Sequence, residues 1–327
     1  MENSNINIQD VMKLTDVGMN AVNDHLRKQL NSEVILINQI AEYIISNGGK
    51  RLRPVLMLLI SKALDYKGDQ GINLAAVIEL IHTATLLHDD VVDESEMRRG
   101  EKTSHEIWGN SASVLVGDFL YSKSFQMMVK ADNMQVMSIL SDATNKISEG
   151  EVQQLLNVGN VNISEDAYFQ IIANKTAKLF EAACQLAAVI ADENAASQKQ
   201  LGDFGMLLGT AFQIADDVLD YTADDAALGK NLGDDFSEGK LTLPLIYLLK
   251  HGNDGEKSAI INAIKNPDKT DFMVIRNLVT DSNAIEYTMK QAQIKAEEAK
   301  NKLSGLPTSE AKEALMFLCD YAWKRGQ

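Results

Sequence analysis

Proline is scarce in this chain, and its scarcity limits the folds that the chain can adopt. Only 4 of the 327 residues are proline, against roughly 5% in average proteins. Proline is excluded from helix interiors because it lacks an N–H and its ring clashes with the preceding turn. With 13 methionines and many Ala and Leu residues, the composition predicts a mostly helical protein.

The net charge excludes one broad class of function. Acidic residues outnumber basic residues 46 to 31, which gives a formal charge of −15. A field of this sign repels nucleic acid phosphates and anionic lipid headgroups. We therefore expect no nucleic acid partner.

The cysteines and the N-terminus favour a cytoplasmic protein. Cys184 and Cys319 lie in apolar stretches without a metal-binding CxxC spacing, so we expect buried thiols of a reducing compartment. The first ten residues are polar and acidic, unlike a signal peptide. We expect every apolar segment to be much shorter than the ~18 residues that span a bilayer, and therefore we expect no transmembrane segment.

Two stretches are apolar on nearly every helical face, and each ends in a cluster of aspartates. Residues 74–90 and 201–221 are both predicted to be buried central helices. The sequence His-Asp-Asp-Val-Val-Asp at 88–93 recurs in form as Ala-Asp-Asp-Val-Leu-Asp at 215–220. This repetition suggests two related helical halves, each presenting carboxylates at a helix end.

Each aspartate cluster requires a compensating cation. On a helix, residues i and i+4 share a face, so the first and last aspartate of each cluster point together, with the second flanking them. Three like charges within about one turn repel one another, and burial adds a desolvation cost. Mg²⁺ fits best because it binds through one or two carboxylates plus substrate phosphates, whereas a calcium EF-hand needs a different ladder of ligands. The alternative is a solvated acidic helix end, which two clusters on core helices make a poor explanation. The predicted metal ligands are Asp89, Asp90, Asp93, Asp216, Asp217 and Asp220.

Basic residues gather near these clusters despite the acidic total. The segment Gly-Gly-Lys-Arg-Leu-Arg-Pro at 48–54 holds three positive charges, Arg98 and Arg99 follow the first cluster, and Lys230 and Lys240 bracket the loop after the second. Arg forks match phosphate oxygens in a bidentate manner, and glycine lets the backbone approach a ligand. Each group alone is more typical of a solvated surface. Together with the aspartates they indicate metal-bound and metal-free anion pockets, for which a diphosphate is the simplest occupant.

The order of these motifs resembles that of the trans-isoprenyl diphosphate synthases, the polyprenyl synthetase family. The resemblance covers roughly residues 30 to 320 and includes the basic segment 48–54, both aspartate motifs, the Lys175-Thr176 pair and the glycine- and aspartate-rich loop 229–240. Between the motifs the sequence is similar to bacterial octaprenyl diphosphate synthases.

The resemblance implies an all-α, single-domain helical bundle around a deep central cavity. The domain would span residues 1–327, with 1–30 as a peripheral N-terminal segment, and the protein would be a cytoplasmic homodimer.

The resemblance also implies an Mg²⁺-dependent prenyltransferase with about three Mg²⁺ ions bound by carboxylates and substrate phosphates. The enzyme would add isopentenyl diphosphate repeatedly to an allylic primer, farnesyl diphosphate, and make all-trans octaprenyl diphosphate for quinone side chains such as that of ubiquinone. A shorter or longer product is the alternative. Product release would involve transient contact with a membrane.

The resemblance also implies roles for individual residues. The six aspartates would hold the metal ions, Lys175 and Lys230 would add positive charge at the departing diphosphate together with Arg98, and Thr176 and Gln213 would stabilise the cationic intermediate. The substrate-binding residues would be Lys50, Arg53, His82, Arg98, Arg99 and Lys240.

Small residues before the first aspartate motif predict a long product. Going back four and five residues from Asp89 along one helix face gives Thr85 and Ala84, and neither blocks a growing chain. The floor is expected deeper, at Phe125 or Met128 on a helix starting near residue 112. Ordinary core packing is an equal alternative for either of these two residues.

Three rival interpretations remain open. A class I terpene cyclase would normally carry an asymmetric second motif and no basic segment such as 48–54. A non-catalytic subunit of a heteromeric synthase would lose aspartates from the motifs, and this chain retains all six. A purely structural bundle gives no reason for the paired clusters.

Overall fold

The computed structural model describes residues 6–47, 49–222, 233–266 and 272–324. These residues form an all-α fold, as predicted, with one two-residue antiparallel hairpin in which Met97 faces Lys102. A π-helical turn, Ala173–Ala177, and a 3-10 turn, Leu303–Gly305, interrupt the α-helices. The elements are α1 Ile8–Leu30, α2 Ile35–Ser46, α3 Leu52–Ala63, α4 Gln70–Val92, β1 Met97–Arg98, β2 Glu101–Lys102, α5 Ser104–Trp108, α6 Asn110–Val129, α7 Met134–Leu156, α8 Glu165–Ile172, α9 Lys178–Ile190, α10 Ala195–Thr222, α11 Asp234–Ser237, α12 Leu243–His251, α13 Asp254–Lys265, α14 Phe272–Thr280, α15 Ala284–Lys302 and α16 Glu310–Lys324.

The two central helices predicted from the apolar stretches 74–90 and 201–221 are confirmed as α4 and α10. Helix α4 packs mainly against α6, α3 and α1, and α10 packs mainly against α9 and α15. Both helices are surrounded by other helices, which explains why their sequences are apolar on nearly every face. Helix α10 continues past its cluster to Thr222, and α4 ends at Val92 with Asp93 as its C-cap residue, so the carboxylates lie at the ends of buried helices.

The start of α3 is set by a strained residue and a proline. Arg51 precedes the helix with a φ of 47°, in the left-handed region that non-glycine residues rarely adopt. Pro54 follows within the first helical turn, where its missing N–H has no intrahelical acceptor. This geometry fixes the basic segment at the N-terminal end of α3.

Most of the buried apolar residues that the structure describes fall into two clusters. The larger includes residues of α1, α3, α4, α6, α7, α9 and α16, and the smaller lies around α12 to α15 and the C-terminal part of α10. Val11, Val22 and Leu26 of α1 belong to the larger cluster, so the N-terminal segment contributes to the core. Both cysteines are free and buried there, as predicted.

Helix α4 corrects one expectation from the sequence. By length and composition alone it could cross a membrane, so the statement that no apolar segment approaches that length is wrong for this helix. Of its apolar window, 56% is buried inside the protein, and the core helix of a globular fold passes the same test. Its apolar character is therefore accounted for by its packing against other helices.

Candidate active site

A cavity of about 460 Å³ collects most of the predicted site residues. Its walls come from α3, α4, α7, the π-turn and α10, together with the segment that follows residue 233. Among the described residues, nine acidic and seven basic side chains line it. The predicted residues that the structure brings together here are Lys50, Arg53, His82, Thr85, Asp89, Asp93, Arg98, Arg99, Lys175, Thr176, Gln213, Asp216, Asp217, Asp220 and Lys240.

The first aspartate cluster divides into two faces. Asp89 and Asp93, which are one helical turn apart, both line the cavity, whereas Asp90 does not. Asp90 is 4% exposed, and its Oδ1 accepts hydrogen bonds from Nε and Nη2 of Arg98 at 2.7 and 2.6 Å. The buried Asp90 therefore fixes Arg98, which does line the cavity.

Lys175 connects the first cluster to α7. Its ammonium lies 3.9 Å from Oδ2 of Asp89, 2.6 Å from Oε2 of Glu151 and 2.6 Å from Oε1 of Gln154. Burial raises the pKa of Asp89, and the positive charge of Lys175 opposes that rise. Burial and the charge of Asp89 raise the pKa of Glu151 to about 7. Glu151 was not predicted from the sequence.

A close helix contact positions Lys175 and Thr176, which lie on the π-turn. A Cβ at Gly150 of α7 would stand only 2.7 Å from the backbone nitrogen of Lys175. Glycine at this position therefore lets α7 approach the π-turn directly. Single π-turns inside helices are frequent at functional sites.

The second cluster is organised by a chain of hydrogen bonds. Asp217 is 2% exposed, and its two oxygens accept hydrogen bonds from the Tyr168 hydroxyl at 2.6 Å and from Nε2 of Gln213 at 2.7 Å. Oε1 of Gln213 in turn accepts from the Thr176 hydroxyl at 3.0 Å. Burial raises the pKa of Asp217 well above its ordinary value. The chain holds the predicted pair Thr176 and Gln213 side by side at the cavity wall.

The segment after residue 233 touches both clusters. The backbone N–H of Gly233 donates to Oδ1 of Asp220 at 3.1 Å, and the Lys240 ammonium lies 2.7 Å from Asp93 and 2.5 Å from Glu238. Burial alone would lower the pKa of Lys240, but the carboxylates of Asp93 and Glu238 outweigh this effect and raise the pKa above its ordinary value. Lys230 belongs to 223–232, outside the described residues.

A second part of the cavity wall is cationic. Burial lowers the pKa of Arg53 to about 10, and its guanidinium lies 4.4 Å from the centre of the Phe180 ring. Burial and the nearby charges of Arg53 and Arg99 hold the pKa of His82 well below its ordinary value, so its ring is neutral at neutral pH. Lys50 contacts the hydroxyl of Tyr321.

One buried carboxylate balances this wall. Glu79 of α4 lies 3.6 Å from Nε of Arg51; burial raises its pKa, while the charges of Arg51, Arg53 and Arg99 oppose that rise. Sequence reasoning missed Glu79, although an acid within the otherwise apolar stretch 74–81 of α4 is a signal for a buried counter-ion. Tyr168 and Glu151 carried no comparable signal.

The carboxylates fit a divalent cation that binds together with a ligand. Within the part of the chain that the structure describes, no group of three or more His, Cys, Asp or Glu side chains could hold a metal ion by itself. Carboxylate oxygens are nonetheless the ligands that Mg²⁺ prefers, and it usually keeps water and substrate phosphate in its coordination shell. The arrangement suits a metal whose remaining ligands come from phosphate and water.

The cavity ends before most of the predicted product-length residues. Thr85 lines it, whereas Ala84, Phe125 and Met128 are not among the lining residues. Ala84 and Met128 are both fully buried. The path of a growing chain beyond Thr85 therefore stays a prediction.

Comparison with known proteins relates nearly the whole chain to one family. A sequence profile described as "Polyprenyl synthetase" matches residues 34–281. The octaprenyl diphosphate synthase of Haemophilus influenzae is 46% identical over 96% of this chain and 95% of that protein, and the one of Escherichia coli is 45% identical over 98% and 100%. A crystal structure of polyprenyl synthase from Caulobacter crescentus, complexed with calcium and isoprenyl diphosphate, superposes with a TM-score of 0.95 at 41% identity, covering 98% of each chain.

Proposed function

The chain belongs to the polyprenyl synthetase family, and on that basis we propose that it makes all-trans octaprenyl diphosphate. It adds isopentenyl diphosphate units to an allylic primer, farnesyl diphosphate, and the product supplies quinone side chains. One observation carries the proposal above all: carboxylates of both aspartate motifs and the basic side chains that follow them line one cavity. Such a cavity can hold a metal-bound diphosphate beside a metal-free one.

The allylic diphosphate binds on the aspartate side. Asp89, Asp93, Asp216 and Asp220 line the cavity and would hold about three Mg²⁺ ions together with the phosphate oxygens of the substrate. Asp90 acts by orienting Arg98, and Asp217 acts with Tyr168 and Gln213, because their oxygens already accept hydrogen bonds from these groups. When bound, the metal ions supply Lewis-acid stabilisation of the leaving diphosphate.

Isopentenyl diphosphate binds on the cationic side. Arg53, Arg99 and Lys50 provide positive charge, and His82 is neutral, so it donates one hydrogen bond without adding charge. Guanidinium groups match the geometry of phosphate oxygens. This wall directs the double bond of the second substrate toward the allylic carbon, which converts a bimolecular encounter into an oriented reaction.

The residues near the reacting carbons stabilise positive charge without acting as a base. The oxygens of Thr176 and Gln213 present dipoles to the developing allylic cation, and Lys175 and Lys240, with Lys230, add charge around the departing diphosphate. The proton lost after the new C–C bond forms passes to the released diphosphate, because the carboxylate beside Gln213, that of Asp217, already accepts hydrogen bonds from Gln213 and Tyr168.

Further features of the proposal rest on the family. The protein acts in the cytoplasm as a homodimer of single-domain subunits, with a brief membrane contact for release of the product. The growing chain passes Thr85 and Ala84 and extends toward Phe125 and Met128.

Incubation with radiolabelled isopentenyl diphosphate, farnesyl diphosphate and Mg²⁺, followed by product sizing, tests the function. We expect octaprenyl diphosphate as the main product and no product without a divalent metal. A cyclic hydrocarbon, or no consumption of isopentenyl diphosphate, would contradict the proposal.

Two variants test the metal assignment. Asp89→Ala and Asp216→Ala are expected to abolish turnover and to leave the circular dichroism of the helical fold unchanged. Near-native turnover in either purified variant would contradict the assignment of that aspartate to the metal site.

A further inference from the structure

Helix α7 carries two polar side chains into the cavity that no motif accounts for. Glu151 and Gln154 are three residues apart and therefore share one helix face. Both contact the same atom, the ammonium nitrogen of Lys175, at 2.6 Å. Neither side chain contacts the predicted anion-binding arginines through any hydrogen bond or ion pair that the structure gives for the described residues.

The backbone around these residues is built for close contact with the π-turn. Gly150 allows α7 to approach Lys175, since a Cβ there would lie 2.7 Å from the Lys175 nitrogen and 2.9 Å from Cβ of Asn174. Asn174 also donates a hydrogen bond to the Gln153 side chain at 3.2 Å. The segment 150–154 thus holds the π-turn by both backbone packing and side-chain hydrogen bonds.

The donor count of Lys175 gives this arrangement a chemical meaning. An ammonium has three N–H donors, and Glu151 and Gln154 take two of them. Oδ2 of Asp89 lies 3.9 Å away, too far for a hydrogen bond. One donor is therefore left for a ligand beside Asp89, on a side chain whose flexible four-carbon stem would otherwise sample many rotamers.

We propose that Glu151, assisted by Gln154, is a positioning residue that orients the Lys175 ammonium toward the diphosphate of the allylic substrate. The inference rests on the proposed function, because it assigns the ligand of Lys175 within that same site. Glu151 itself makes no contact with substrate. It acts through the lysine by fixing two of the three donors.

The test compares Glu151→Ala, Glu151→Gln and Lys175→Ala with the double variant of Glu151→Ala and Lys175→Ala. Glu149→Ala is the matched control, because Glu149 lies on the same helix and pairs with Lys146 at 2.6 Å on the exposed face. Two quantities are measured: kcat/KM for each substrate, and the affinity for inorganic diphosphate with Mg²⁺ by calorimetry.

We expect Glu151→Ala to lower kcat/KM for the allylic substrate by about tenfold, the effect of one charge-assisted hydrogen bond. The KM for isopentenyl diphosphate should not change, and diphosphate binding should weaken in parallel. Glu151→Gln keeps an acceptor for the ammonium and should restore most of the loss. In the Lys175→Ala background, Glu151→Ala should have an effect below about twofold, because the interaction that couples the two residues is already gone.

Two results would overturn the proposal. An equal loss in both backgrounds would show that Glu151 supports the fold independently of Lys175. Tighter diphosphate binding in both Glu151→Ala and Glu151→Gln would show that the carboxylate merely competes with the ligand. If the native enzyme binds diphosphate but makes no prenyl product, the proposed function fails, while the calorimetric comparison still decides the role of Glu151.

Discussion

The hydrogen bond from Tyr168 to Asp217 offers a sharp test of how the second aspartate motif is held. Tyr168→Phe removes the hydroxyl and retains the ring, so the buried packing volume hardly changes. The donor and acceptor are 2.6 Å apart, and the two residues are 3% and 2% exposed. Water therefore has little access to replace the lost donor.

The expected cost follows from that burial. Removing one partner of a hydrogen bond leaves the other group buried without a partner, and this costs about 1–3 kcal/mol in unrecovered desolvation. Tyr287→Phe is a matched control, because its hydroxyl donates to Oε1 of Glu165 at 2.5 Å in a partly exposed position. Water can replace that contact, so we expect less than about 1 kcal/mol there.

Urea unfolding of the metal-free protein, followed by circular dichroism, measures both changes. For a slope near 3 kcal/mol/M, a loss of ~2 kcal/mol moves the midpoint of Tyr168→Phe down by ~0.7 M. The slope itself should stay constant. Equal shifts in the two variants, or a shift under ~0.2 M for Tyr168→Phe, would refute the idea that burial makes this bond important.

Three further changes test other parts of the structure. Gly205→Ala would place a Cβ 2.3 Å from a backbone carbonyl oxygen of α9, so it should lower the free energy of unfolding in urea by about 1–3 kcal/mol. Gly202→Ala is the control: its Cβ would lie 3.5 Å from the nearest atom, so the free energy of unfolding should stay the same or rise by up to ~1 kcal/mol. A change of the same sign in both variants would contradict the packing argument. Ala84→Phe should shorten the product on chromatography, since it places a ring next to the end of the cavity, and an unchanged product length would exclude this route. Burial raises the pKa of Cys319 to about 12 and that of Cys184 well above its ordinary value, so both thiols should resist iodoacetamide at pH 8 until the chain is unfolded. Because these folded-state pKa values are raised, their contribution to the free energy of unfolding is fully present below about pH 8.5 and is lost as pH rises toward the folded values. Rapid labelling of the native protein would contradict the burial of the two thiols.

The sequence predicted the parts of this site that depend on local spacing. Helices α4 and α10 were identified because their apolar residues cover nearly every face, and the i, i+4 rule placed Asp89 with Asp93. The same rule set Asp90 to one side of that pair. In the structure this offset turns Asp90 away from the cavity and toward Arg98.

The parts that could not be predicted depend on contacts between distant segments. Glu151 meets Lys175 only because Gly150 brings α7 against a π-turn, and a π-turn has no distinct pattern of apolar residues. Tyr168 reaches Asp217 across the fold, and in the sequence it resembles any aromatic core residue. Such contacts depend on the relative placement of helices, which periodicity does not determine.

The charges of the cavity explain why metal and diphosphate are expected to bind together. Basic side chains on the aspartate side already face carboxylates: Lys240 contacts Asp93 and Glu238, and Lys175 contacts Glu151. Acidic side chains also outnumber basic ones among the lining residues. A bare diphosphate would therefore enter a site with more acidic than basic side chains, and a bare divalent cation would find no group of three or more His, Cys, Asp or Glu ligands within the described residues. The diphosphate supplies oxygen ligands for the metal, and the metal supplies positive charge for the diphosphate. Binding of either one should therefore raise the affinity for the other by the same factor.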